Sequence, residues 1–280
     1  MTYVIHGATG AQGTPVAAAL AAVGAPVTAL TRNADAVVAG ARVRAVDLRA
    51  TDALTDAYRG ADGVFVHLPI GGPEDRLRHA HSIVAALDTA RPGRVVFSTS
   101  GGTPFESADP AVTAVVDGLK RSGLSHAVIA PRLFLENLLL PPVVTGVREQ
   151  GVLRYPLPAD HPVSWTSHLD VADLVAALFR RPDVTGLIEV GLHPAVTGPE
   201  LAEAFAARLG HAVTYEPLTP AAFGDSLAPL LGADAAAGVA GLYEFLGTLP
   251  DNAIAPDRSA QTVLGLQPRT TLQWLTSAVR

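Results

Sequence analysis

Residues 4–16, VIHGATGAQGTPV, join an apolar run to a helical stretch through glycines at positions 7, 10 and 13. A strand that turns at once into a helix has few folds open to it. The turn needs glycine wherever the backbone enters conformations that a Cβ forbids. The unit must also repeat before its apolar faces are covered. The rest of the first half supplies those repeats. Apolar and β-branched runs at 2–6, 26–30, 42–47, 63–68, 94–98 and 126–130 predict strands. Helical patterns near 13–23, 51–59, 74–90 and 110–122 lie between them. Strands that are apolar throughout, each followed by a helix, belong to a parallel sheet covered on both faces. The expected class is α/β, with a doubly wound parallel sheet.

After about residue 150 the alternation breaks. Segments 151–158, 186–191 and 212–218 read as strands, and 167–181 and 197–210 as helices. Asp170, with Asp173 three residues on, reads as the N-cap of the first of these helices. Proline-broken helices follow. We expect a main domain over residues 1–150 and a smaller C-terminal α+β domain over 151–280, with residues 163–192 returning to the main sheet. A chain of 280 residues, 49% apolar and 16% charged, is large enough for such a core. No apolar run is long enough to span a bilayer, and no basic region leads into a short apolar one, so cytoplasmic residence is the default expectation. Cysteine is absent, which removes disulfides, thiolate metal sites and a Cys nucleophile together. The net charge of −6 comes without any basic stripe, which argues against nucleic-acid binding.

Gly7, Gly10 and Gly13 form G-x-x-G-x-x-G between the first strand and first helix. This spacing suits a Rossmann phosphate cradle. Gly7 takes the tight turn, Gly10 admits a pyrophosphate to the backbone, and Gly13 lets the helix pack on the sheet. Thr9, Ala11 and Gln12 lie between them, where helix N–H groups face negative charge. An NAD-preferring site places a carboxylate at the end of the second strand. Here that strand ends in Thr31, Arg32 and Asn33. The guanidinium of Arg32 suits a 2′-phosphate, so NADP(H) is favoured over NAD(H). Asp47, ending the third strand, can accept a bond from an adenine amino group or cap the next segment. His67, Leu68 and Pro69 end the fourth strand, where a loop is expected to cross the cofactor.

With these features and the stretch RSGLSHAVIAPRLFLEN (121–137), the chain resembles the NmrA-like family of atypical short-chain dehydrogenase/reductase proteins. Ser122, Gly123, Leu124, Phe134, Glu136 and Asn137 match the family pattern, whereas Pro131 precedes Arg132 where the family has arginine first. Segments 163–179 and 186–210 also fit. The resemblance covers about residues 2–220. It implies a Rossmann domain, a small C-terminal domain and a cleft between them over the nicotinamide end. The family contains NADPH-dependent reductases of quinones and dyes, and also NADP-sensing regulators.

Short-chain dehydrogenases commonly use a Tyr-x-x-x-Lys pair, in which the lysine lowers the tyrosine pKa. Lys120 is the only lysine among 20 basic residues, and Val116 stands four residues before it. The pair is absent. Reduction of a quinone-like or carbonyl substrate, with a proton from water, stays open. So do an NADP(H)-sensing regulator without turnover and a non-redox biosynthetic enzyme. Ser100, at the end of the fifth strand, is the candidate hydroxyl at the nicotinamide, and the loop 101–110 is a candidate cover. Phe134, Asn137, Tyr155 and Trp165 are candidates for lining a small-molecule substrate pocket. His79 and His81, two apart on a helix, point to different sides and do not make a metal pair. A monomer and a homodimer both fit the sequence.

Overall fold

Every strand expected in the first half forms, and four of the six lead into a helix, whereas the second runs on to the third and the sixth to a short strand. The computed structural model describes residues 1–103 and 109–278, so half of the expected cover loop, residues 104–108, lies outside the described residues. Strands β1 (Tyr3–Ile5), β2 (Val27–Thr31), β3 (Ala41–Ala45), β4 (Gly63–His67), β5 (Val95–Ser98) and β6 (His126–Pro131) alternate with helices α1 (Gly13–Ala22), α2 (Thr51–Tyr58), α3 (Pro73–Ala90) and α4 (Pro110–Ser122). Beyond these come β7 (Leu133–Phe134), α5 (Pro141–Gln150), β8 (Val152–Tyr155), β9 (Trp165–Thr166), α6 (His168–Arg180) and β10 (Gly186–Val190). The last elements are α7 (Gly198–Leu209), β11 (Thr214–Pro217), α8 (Pro220–Leu231), α9 (Ala233–Thr248), α10 (Ala260–Leu264) and α11 (Thr271–Ala278).

The seven-stranded sheet is parallel throughout, in the order β10-β6-β5-β4-β1-β2-β3. The chain starts in the middle, winds outward through β2 and β3, then returns to β4 and winds the other way. The doubly wound sheet is therefore present. Side chains alternate across it. Val4 joins the core formed with α2, α3 and α4, whereas Tyr3 stacks on Phe179 of α6 with ring centroids 4.6 Å apart. Helices on both faces explain strands that are apolar without alternation, and Val64, Phe65 and Val66 are all fully buried.

Helix starts follow local chemistry. Asp109 caps α4 by accepting the Ala111 N–H, and Pro110 follows at the first helical position. In α7, Thr197 and Glu200 form a reciprocal capping box. Asp170 does not cap α6 as the sequence suggested. That helix begins at His168, which leaves Asp170 buried in its first turn, where a carboxylate complements the helix dipole. Helix α5, opened by Pro141 and Pro142 and closed by Gly151 in the left-handed region, carried no sequence expectation.

The chain divides into two compact units. The first comprises Met1–Pro131, His168–Val190 and Asp257–Leu266. The last of these segments is tied to the sheet edge, where Arg258 donates to the fully buried Glu189 at 2.8 Å. The second unit comprises Arg132–Ser167, Gly191–Pro256 and the chain from Gln267 onward. It carries the β8–β11 and β7–β9 parallel pairs and its own core around Tyr155, Trp165, Phe223, Tyr243 and Trp274. Among the described residues, no helix is long and apolar enough to cross a membrane.

Candidate functional site

Strand order reverses between β1 and β4, and the crevice at such a reversal is where open α/β sheets take ligands. A cleft of about 770 Å³ opens there within the first unit, over the carboxyl ends of β1 to β4. Gly7, Thr9, Gly10, Arg32, Asp47, His67 and Pro69 all line it. It is also lined by His6, Arg49, Arg76 and His79, which carried no ligand expectation.

The glycine turn is shaped by backbone contact. Gly7 has φ +53°, and a Cβ there would lie 2.5 Å from His67 Nε2. Gly10 donates its N–H to the Gly7 carbonyl at 2.7 Å, and a Cβ on it would meet only that carbonyl oxygen, at 3.2 Å. A Cβ on Gly13 would collide with the His6 and Gly7 backbone, so α1 packs directly against the strand end. The N–H groups of Ala11, Gln12 and Gly13 have no acceptor among the described residues. No side chain caps α1, and no acidic residue stands in its first turn. Three amides are thus left facing outward with the positive end of the helix.

Gln12 is nearly fully buried, and its side chain is already engaged. Its Oε1 accepts from Ser98 Oγ at 2.8 Å and its Nε2 donates to Ser100 Oγ at 2.9 Å. Ser100 follows β5 in the left-handed region, with φ +65°.

At the ends of β2 and β3 the cleft is more open. Thr31 Oγ1 lies 3.3 Å from Thr9 Oγ1 and accepts the Asn33 N–H, which turns the chain and leaves Arg32 pointing outward. Arg32 is exposed and has no hydrogen-bond or ion-pair partner among the described residues. Asp47 does not end the third strand. β3 stops at Ala45, and Asp47 folds the turn before α2 by accepting the Arg49 N–H on its carboxylate and the Ala50 N–H on its carbonyl. Arg49 reaches Asp75 of α3 at 3.2 Å.

The β4 side is closed by paired groups. Leu68 is buried in the core. Arg76 of α3 donates to the Pro69 carbonyl at 2.6 Å and to Asp109 Oδ2 at 2.5 Å, so one guanidinium joins the loop after β4 to the start of α4. Beneath the turn, His6 Nε2 lies 2.6 Å from the Tyr58 hydroxyl, and His6 Nδ1 and His67 Nε2 are buried without a hydrogen-bond partner among the described residues. Burial lowers the pKa of His6 to about 3 and of His168 to about 4, and lowers that of His67; the charge His67 would carry disfavours protonation of both others. The sequence offered no sign of this cluster, since its members stand on β1, α2, β4 and α6. His79 lines the cleft, whereas His81 lines a groove between α3 and α4. Lys120 is exposed and lies 3.8 Å from Asp117.

The four second-unit candidates divide by burial. Tyr155 and Trp165 are buried in that unit's core, edge to face at 5.3 Å. The Tyr155 hydroxyl pairs with that of Tyr243, and Asn137 bonds to both, so these polar groups are satisfied inside the core. Phe134 and Asn137 are half-buried.

The model of the NmrA-like family matches residues 1–259. No curated protein matches the chain. Among solved structures, an NADPH-dependent quinone oxidoreductase from Escherichia coli, complexed with NADPH, superposes with a TM-score of 0.79 at 20% identity over 100% of both chains. A triphenylmethane reductase from Citrobacter sp., complexed with NADP(H), gives 0.82 at 17% identity over 100% of both chains. NmrA, a negative transcriptional regulator, gives 0.64 at 17% identity over 78% of this chain and 74% of its own. At these identities the likeness is one of fold.

Proposed function

Because this chain belongs to the NmrA-like family, we propose that it is an NADPH-dependent oxidoreductase acting on a small conjugated, quinone-like or carbonyl substrate. The observation that carries the reading is the cleft itself. The Gly7–Gly10 turn that leads into the free amides of α1 lines this crevice, and so does Arg32, an arginine without a partner among the described residues. The residues present fit a dinucleotide phosphate. Gly10 carries no Cβ to hinder close approach to its backbone, and no carboxylate stands at the α1 N-terminus to repel the ligand. Gly7, Thr9, Gly10, Ala11, Gln12 and Gly13 hold the diphosphate, the last three through backbone N–H groups. Arg32 takes the 2′-phosphate, and His67, Leu68 and Pro69 flank the cofactor at the end of β4. When bound, NADPH supplies a hydride, and a proton from water completes the reduction of a quinone.

The reading draws support from the two NADPH-complexed reductases that share the fold. The likeness of fold to NmrA favours a second reading, a regulator that binds NADP(H) without turning it over, and the missing Tyr-x-x-x-Lys pair fits either reading. Fluorescence titration should show tighter binding of NADPH than of NADH. Arg32→Ala should weaken NADPH about 10- to 100-fold and leave NADH unchanged, as expected for losing a charge-assisted contact. Equal affinities in the unaltered protein would remove the Arg32 assignment. Loss of absorbance at 340 nm with quinones, enones or aldehydes supports the enzyme, and tight binding without turnover supports the regulator.

A further inference from the structure

Gln12, Ser98 and Ser100 form a closed set of hydrogen bonds beside the cleft, and their donors and acceptors can be counted. Ser98 is buried, and its Oγ accepts the Ser100 N–H at 3.2 Å. Its single proton therefore goes to Gln12 Oε1, at 2.8 Å. That fixes the amide. Turned the other way, it would put an N–H against Ser98 and strand the serine proton where no water reaches it. With Oε1 toward Ser98, it is Nε2 that faces Ser100 and donates to its Oγ at 2.9 Å. Ser100 thus accepts from Gln12, so its own proton points elsewhere, and it has no acceptor among the described residues. The left-handed backbone at Ser100, unusual for a residue with a Cβ, allows its amide to bond Ser98 while its hydroxyl faces Gln12.

We infer that Gln12 is a positioning residue, whose side chain holds the half-buried Ser100 hydroxyl as a hydrogen-bond donor to a carbonyl oxygen of the substrate bound at the end of β5. The inference rests on the oxidoreductase reading. It separates two functions within one residue, since the backbone N–H of Gln12 stays with the diphosphate while its side chain serves Ser100. A hydroxyl with its lone pair already engaged donates outward, which is the polarity needed where negative charge gathers on a carbonyl that accepts hydride.

Gln12→Glu tests the polarity with almost no change in shape. A carboxylate still accepts from Ser98 but also accepts from Ser100, turning that proton inward. With 1,4-naphthoquinone and saturating NADPH, kcat should fall about 10- to 100-fold, to the level of Ser100→Ala, and the double variant should fall no further. The NADPH dissociation constant, measured separately, isolates any effect of the added charge on cofactor binding. In the protein without cofactor, the Gln12 side-chain amide signals in ¹⁵N NMR should shift in both Ser98→Ala and Ser100→Ala. Unchanged kcat in Gln12→Glu, or amide signals unmoved by Ser100→Ala, overturns the inference alone. Absence of turnover by the unaltered protein overturns the oxidoreductase reading and this inference with it.

Discussion

The floor of the cleft and its rim use the same residue types in opposite ways. On the floor, Gly13 is pressed against the His6 and Gly7 backbone, and Arg76 is held by the Pro69 carbonyl and Asp109. At the rim, a Cβ on Gly10 would meet only the Gly7 carbonyl oxygen, at 3.2 Å, and Arg32 has no partner among the described residues. Both glycines belong to one motif, and both arginines border one cavity. The difference shows that residue type does not separate fold-building from ligand recognition here. Whether the group is already satisfied does.

The glycines give the sharpest way to break this contrast. Gly13→Ala should lower stability by about 3 kcal/mol, because the new Cβ meets backbone that cannot move without shifting α1. Gly10→Ala should keep its melting temperature nearly unchanged and lose NADPH affinity instead. Equal loss of stability in both would erase the distinction between floor and rim.

Acid titration probes the imidazoles held neutral, His6 beneath the turn among them. The unfolded chain takes up protons on its histidines below about pH 6.5, whereas buried His6 and half-buried His168 resist protonation down to about 3 and 4. The unfolded state therefore binds more protons between those values, and stability declines as pH falls through that window. Between pH 6.5 and 5 each of these histidines should remove about 2 kcal/mol. Chemical denaturation at several pH values should show this slope, and His6→Gln should flatten it; an unchanged slope would mean that His6 is not held neutral.

The arginines give the smallest effect. Arg76→Ala should destabilise by about 1–2 kcal/mol, since it takes one donor from the half-buried Asp109 carboxylate, which keeps the Ala111 N–H, and one from the Pro69 carbonyl. Arg32→Ala should move the melting temperature very little. A fall for Arg32→Ala as large as for Arg76→Ala would place Arg32 among the groups that build the fold.

Much of the cleft was legible in the sequence because it is built from local signals. The glycine spacing, each strand end and the arginine directly after β2 are each read from a few consecutive residues, and the glycine turn is made by neighbouring backbone. Asp47 was misplaced by two residues because the side-chain and backbone bonds that end β3 compete with the strand ladder, and its apolar pattern does not register them. Other groups joined only across long separations. His6 and Tyr58 stand 52 residues apart, Arg76 and Asp109 33, and Gln12 and Ser100 88. None of these pairs leaves a periodic trace.

The sequence by itself determined the βα alternation, the parallel sheet, the glycine turn and the arginine at the rim, because each follows from local sterics or from periodicity. Tertiary structure alone decided which polar groups are already paired. Strand order brings residues dozens of positions apart to one end of the sheet, and only there can Gln12 orient Ser100 and Arg76 be occupied while Arg32 has no partner among the described residues.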